Sequence, residues 1–130
     1  MICIDSDFII AMSRGDQKAV NMVSVLEERD MLATTAINYF EVLSGAMLSD
    51  NKEKRMKQAY GLLDRIEILE LDKRTAELAS KIHAGLVKKG TPIPRGDLLI
   101  GSIVLSANAD FVTRNAKDFE RIPGLKVIKW

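Results

Sequence analysis

Met1-Ile2-Cys3-Ile4-Asp5-Ser6-Asp7-Phe8-Ile9-Ile10 opens the chain with an unbroken apolar run that ends on a carboxylate. Apolar residues without polar alternation read as a strand covered on both faces, as in a parallel sheet. Ser6 and Asp7 are helix-capping types, so the spacing predicts a helix to about Met12. A carboxylate where the core begins is costly unless something compensates it. Taken singly, Asp5 reads equally well as a helix cap or as a functional group.

The same alternation of short apolar runs and helical stretches continues to the end of the chain. Gln17–Arg29 has helical spacing with Val20, Val23 and Leu26 on one face. Met31–Thr34 is a second strand, and Thr34 or Thr35 caps a helix from Ala36 to Leu48. The basic stretch from Lys52 to Lys57 leads a helix ending near Asp64, its charges reading as a solvated face. Ile66–Leu69 is a third strand. Asp72 or Lys73 begins an amphipathic helix to about Lys89 with Ala79, Ile82 and Leu86 inward. Gly90–Gly96, with two prolines and two glycines, is a loop. An apolar helix from Asp97 ends near Asn108, followed by strands at Asp110–Thr113 and Leu125–Ile128. Strands alternating with helices predict an α/β fold, with a central parallel sheet of about five strands covered by helices on both faces.

Four acids fall at the edges of these elements: Asp5, Glu41, Asp97 and Asp118. Ligands of an open parallel sheet sit beyond the carboxyl ends of its strands, where strand order reverses. Asp5 is at such an end if the first strand is central, and Thr113, Arg114 and Asn115 follow the fourth strand. Asp97 opens a helix, where free N–H groups favour an anion. Gathered together, the four would repel one another until a cation arrived, and a divalent ion held by oxygens points to phosphate chemistry. Singly, Asp97 reads as a cap, Glu41 as a solvated helix residue and Asp118 as a turn residue.

A chain of 130 residues, 47% hydrophobic and 28% charged, fits one globular domain over 1–130. A net charge of +1 gives no overall attraction to nucleic acid or membrane, so polyanion affinity must be local. Cys3 alone forms no internal disulfide and reads as a core residue. With no leader-like segment and no run long enough to span a bilayer, a cytoplasmic location is expected. His83 reads as a surface or boundary residue, and nothing supports a nucleophilic triad.

Asp5-Ser6-Asp7-Phe8-Ile9-Ile10 resembles the opening motif of PIN-domain ribonucleases. Asn38-Tyr39-Phe40-Glu41-Val42-Leu43-Ser44-Gly45 is similar to their Glu-centred helix. Asp97-Leu98-Leu99-Ile100-Gly101 and Thr113-Arg114-Asn115-Ala116-Lys117-Asp118-Phe119 resemble their third and closing motifs. Order and spacing match along the whole chain, and VapC-type toxins of toxin–antitoxin pairs are the relatives of similar size. Asp7 departs from the Asn often found there, and reads as a cap or as an added carboxylate.

The resemblance implies an endoribonuclease dependent on Mg²⁺, with Mn²⁺ as a substitute, that hydrolyses RNA by in-line attack of activated water. It implies 5′-phosphate and 3′-hydroxyl products. Asp5 and Asp97 would hold the metal, Asp118 would bind it directly or through water, and Glu41 would orient or deprotonate water. Ser6, Thr113 and Asn115 would edge the site, and Arg95, Arg114 and Lys117 would grip phosphates. The resemblance also implies a homodimer and a cognate antitoxin, with the helices near Ile9–Met12 and Ala36–Leu48 as the docking groove. The rival readings are a phosphoryl-transfer or receiver-type signalling domain using Asp5, Asp7 or Asp72, and a catalytically silent interaction domain of the same fold.

Overall fold

The computed structural model describes residues 1–130, and its first strand, β1 (Ile2–Ile4), is the middle of a five-stranded sheet. On one side lie β2 (Leu32–Thr35) and then β3 (Glu67–Leu69); on the other lie β4 (Asp110–Thr113) and then β5 (Lys126–Lys129). All four pairings are parallel, Cys3 sitting opposite Ala33 on one side and Phe111 on the other. The chain steps from β1 to β2 in one direction and later returns to β4 in the other. Strand order therefore reverses between β1 and β4.

Side chains of a strand alternate between faces, and β1 and β4 bury both. Ile2, Ile4 and Val112 join Phe8, Ile9, Leu26 and Leu62 in one core. Cys3 and Phe111 join Leu86, Ile100, Val104 and Phe119 in the other. The first core lies under α1 (Ser6–Ser13), α2 (Gln17–Arg29), α3 (Ala36–Met47) and α4 (Lys52–Leu63). The second lies under α5 (Lys73–Lys88), α6 (Arg95–Ser106) and α7 (Ala116–Phe119). Burying each Phe, Leu or Ile here contributes roughly 1.5–3 kcal/mol of transfer free energy.

Local chemistry sets the ends of the helices. Asp16 caps α2 by accepting from the Ala19 N–H, and Thr35 caps α3 by accepting from the Asn38 N–H. Asp72 and Thr75 cap α5 reciprocally, which ties Asp72 to a structural task behind the edge strand β3 and removes the receiver-type use of it. Asn108 takes a left-handed φ of 52° just beyond α6, where the predicted helix stops.

Three expectations are corrected. The cap of α1 is Asp5, whose side chain accepts from the Ser6 N–H; Ser6 and Asp7 already lie in the helix. α6 begins at Arg95 rather than Asp97, because Pro94 suits a helix entry and fixes the turn into it. Asp97 thus sits inside the first turn, where free N–H groups still favour its charge. The segment after β4 also contains a short helix, α7, which puts Asp118 on a helix rather than in a turn.

Candidate active site

Asp5 is 8% exposed, directly beyond the carboxyl end of β1, and every oxygen of its carboxylate is held. Oδ1 accepts from the Ser6 N–H at 2.8 Å and from Asn38 Nδ2 at 2.9 Å. Oδ2 accepts from the Thr113 hydroxyl at 2.6 Å, which ties the end of β4 to the end of β1. Asn38 is fully buried and is itself fixed, since the Thr35 hydroxyl donates to its Oδ1 at 2.7 Å. Its Nδ2 also donates to Ser6 Oγ at 2.9 Å, and Ser6 Oγ donates onward to Glu41 Oε1 at 3.2 Å. One chain of hydrogen bonds thus runs from the cap of α3 through Asn38 and Ser6 to Asp5, buried to that point, and on to the exposed Glu41.

The second half of the site comes from α6 and α7. Asn115 Nδ2 donates to Asp97 Oδ2 at 3.2 Å and to Asp118 Oδ2 at 3.4 Å, bridging the two carboxylates. The Asn115 N–H donates to Thr113 Oγ1 at 3.0 Å, so Thr113 links both halves. Arg121 lies 4.0 Å from Asp118 and donates to the Pro92 carbonyl, tying the loop before α6 to the segment after α7.

The hydrogen bonds bring the acids to one place, and there their charges act on one another. Burial, then repulsion from Asp118, Asp5 and Glu41, pushes the Asp97 carboxyl up to about 6. Burial also raises Asp5, although its hydrogen bonds from Thr113, Ser6 and Asn38 pull it back. Glu41 has an exposed stem, yet burial of its carboxyl and repulsion from Asp5 and Asp7 raise it too. The same surroundings push the Cys3 thiol far up, burial first and Asp5 second, so it stays unreactive.

The donor set is entirely oxygen, but no three of its side chains converge tightly enough to enclose an ion unaided. That suits Mg²⁺, which keeps several of its waters and binds through one or two carboxylates together with substrate phosphate. Carboxyls that repel one another fit the same ion, since a cation relieves that repulsion.

The basic residues expected at the site spread out. Arg95 lines a shallow groove between α5 and α6 with His83 and Leu99. Arg114 lies over the Trp130 ring, and Lys117 is exposed with no ion pair. Asp7 is exposed in the first turn of α1, near enough to raise Asp5 and Glu41. Thr35 was expected only as a helix cap, and Asn38 and Arg121 had no role of their own in the sequence reading. A polar Asn on the inner side of an otherwise apolar helix was the available signal for Asn38.

A parallel sheet with a network of carboxylates at its reversal point defines an α/β domain whose ligand crevice is lined by oxygen donors. The family model described as PIN domain matches residues 2–125. Ribonuclease VapC1 of Haemophilus influenzae is 32% identical over 98% of this chain and 96% of its own length. The tRNA(fMet)-specific endonuclease VapC of Salmonella typhimurium is 32% identical over 76% of this chain and 75% of its own. The crystal structure of VapBC2 from Rickettsia felis bound to promoter DNA matches with a TM-score of 0.91, at 28% identity, over 100% of this chain and 99% of that one. VapBC-1 from nontypeable H. influenzae matches with a TM-score of 0.86 at 32% identity, over 100% and 98%. The chain belongs to the PIN-domain family, among the VapC ribonucleases.

Proposed function

We propose that this chain is a divalent-cation-dependent endoribonuclease, the toxin of a toxin–antitoxin pair, with Asp5, Glu41, Asp97 and Asp118 as its reacting surface. The observation that carries the reading is the network in which Asn115 bridges Asp97 and Asp118 while Thr113 joins Asn115 to Asp5. Asp97 and Asp118, from facing helix turns, would hold Mg²⁺ or Mn²⁺ with Asp5 behind them. When bound, the ion supplies Lewis acidity toward the phosphodiester and neutralises the charge that grows on it.

The side chains do the rest. Asn38, Ser6 and Thr113 fix the Asp5 carboxylate so that it does not reorganise when phosphate arrives. Asn115 holds Asp97 and Asp118 apart and in register. Glu41, its carboxyl oriented by Ser6, would orient or deprotonate the attacking water. No histidine takes part; His83 is exposed on α5.

The VapBC structures support an antitoxin partner, and α3 offers it a surface. Tyr39, Phe40, Leu43, Met47 and Leu48 form an apolar strip, with Phe40 68% and Leu48 84% exposed. Single exposed apolar residues need no explanation, but a contiguous strip marks a contact surface. The name of the S. typhimurium relative makes tRNA the first substrate to try.

The test is incubation of total cellular RNA and purified tRNA with the protein in Mg²⁺, in Mn²⁺ and in EDTA. Discrete cleavage in either metal, absent in EDTA and in Asp97→Asn, is expected. Cleavage undiminished in EDTA would overturn the metal-dependent reading, and no cleavage of any RNA would overturn the enzyme.

A further inference from the structure

Of the four ion pairs in the molecule, one reaches the acids of the site: Arg121 Nη1 lies 4.0 Å from Asp118 Oδ1. At that distance the contact is one of charge rather than a hydrogen bond. The hydrogen bond of the same nitrogen goes to the Pro92 carbonyl at 3.2 Å, 29 residues back in the chain. The Arg121 side chain is 35% exposed, so the pair adds little stability by itself and its use is in placement.

Both ends of this strut are fixed by the core. Pro92 belongs to Pro92-Ile93-Pro94, whose prolines restrict the backbone and whose Ile93 is buried in the second core. Pro94 sits at the entry of α6, and Asp97 is three residues further on. At the other end the Arg121 N–H donates to the Asp118 carbonyl at 3.1 Å, and Phe119 and Ile122 to either side are buried. The Asp118 carboxylate is thereby held twice: Oδ2 accepts from Asn115 at 3.4 Å, and Oδ1 faces Arg121. Asp97 shares the Asn115 amide but has no cation, and repulsion between Asp97 and Asp118 acts to spread them. A bond as long as that from Asn115 restrains Asp118 weakly. Arg121 offsets part of the Asp118 charge, and its bond to Pro92 ties the segment carrying Asp118 to the segment that leads into Asp97.

We propose that Arg121 is the positioning residue for Asp118 and, through it, for the divalent ion, keeping Asp118 at the spacing from Asp97 that the ion needs. The proposal rests on the metal-dependent reading. A guanidinium near an ion also repels it, so placement and charge predict opposite signs. Where placement outweighs charge, removing Arg121 weakens ion binding; where charge outweighs placement, removing it tightens binding.

Thermal melting across a Mg²⁺ titration reads ion binding without RNA. In Arg121→Ala, the Mg²⁺ concentration needed for a given rise in Tm should be about tenfold higher than in the parent. Arg121→Lys should recover most of this loss, because one nitrogen makes both contacts and an ammonium can take its place. Cleavage by Arg121→Ala should fall about tenfold at limiting Mg²⁺ and recover at high concentration. Unchanged binding in Arg121→Ala would leave a purely structural tie, and tighter binding would make Arg121 a competitor of the ion; either overturns the proposal. The link to Asp118 is tested without metal. There, Arg121→Ala should lower the urea midpoint about twice as far in the parent as in Asp118→Asn, and equal losses would overturn it. Should the parent show no metal-dependent rise in Tm, the metal reading fails by itself, while this comparison still decides whether Arg121 holds Asp118.

Discussion

Asp97 combines the two causes that raise a carboxyl, burial and neighbouring negative charge, and this has a consequence for stability. Its carboxyl titrates near 6 in the folded chain against an ordinary value of 3.8, so the folded state holds the proton more tightly than the unfolded state. The stability this contributes to the metal-free protein is fully present below the unfolded value and is lost as pH rises through the folded one. Asp5 and Glu41 are raised in the same direction and add to the trend. Urea unfolding of metal-free Asp97→Asn should therefore show a higher midpoint than the parent near pH 8, a difference that shrinks towards about pH 4. Asn38 behaves oppositely. It is wholly buried and serves Asp5, Ser6 and Thr35 at once. Asn38→Ala should cost about 1–3 kcal/mol by leaving those groups without partners, with a loss of cleavage beyond what the lowered stability explains. Asp5, Glu41 and Asp97 stood out because each interrupts or borders an apolar run, whereas Asp118, between Lys117 and Phe119, stood out only through the closing motif. Asn38 did not, because its bond to Asp5 spans 33 residues and exists only once α3 packs beside β1.

At the scale of elements, the site depends on α6 and α7 staying in contact. Phe119 of α7 packs edge-on against Phe111 of β4 at 4.6 Å, which seats the helix that carries Asp118. Gly101 of α6 lies so close to Ile122 that an added Cβ would collide with the Ile122 Cδ1, with Phe119 and Leu125 next nearest. Gly101→Ala should cost about 1–3 kcal/mol as an overpacked core and weaken cleavage by shifting Asp118 away from Asp97. The companion change Ile122→Val removes the colliding methyl and should restore part of both, as read by thermal melting and cleavage rate. The long helices were legible from their periodicity, α2 to the residue. α7 was not, since four residues carry too little periodicity to separate helix from turn. The start of α6 was misread because Pro94, Arg95 and Gly96 have the composition of a loop, while a proline at a helix entry costs nothing.

For the whole molecule, local pattern gave the α/β class and the parallel sheet, but not the order β3-β2-β1-β4-β5, which is a property of long-range pairing. That order is what turns scattered acids into a site, because it makes β1 central and sets the ends of β1 and β4 side by side at the reversal point. It also removes the receiver-type alternative, leaving Asp72 behind an edge strand as a helix cap. The family match and the acids agree on one kind of chemistry. The most direct measurement of whether negative charge at this point awaits a divalent ion is thermal melting near neutral pH across a titration of Mg²⁺ and Mn²⁺. The parent protein should gain about 2.7 kcal/mol of stability once the ion reaches a hundredfold excess over its Kd, seen as a rise of several degrees in Tm. Asp97→Asn should begin at a higher Tm without metal and rise little. A parent Tm that stays flat through the whole titration would contradict the account.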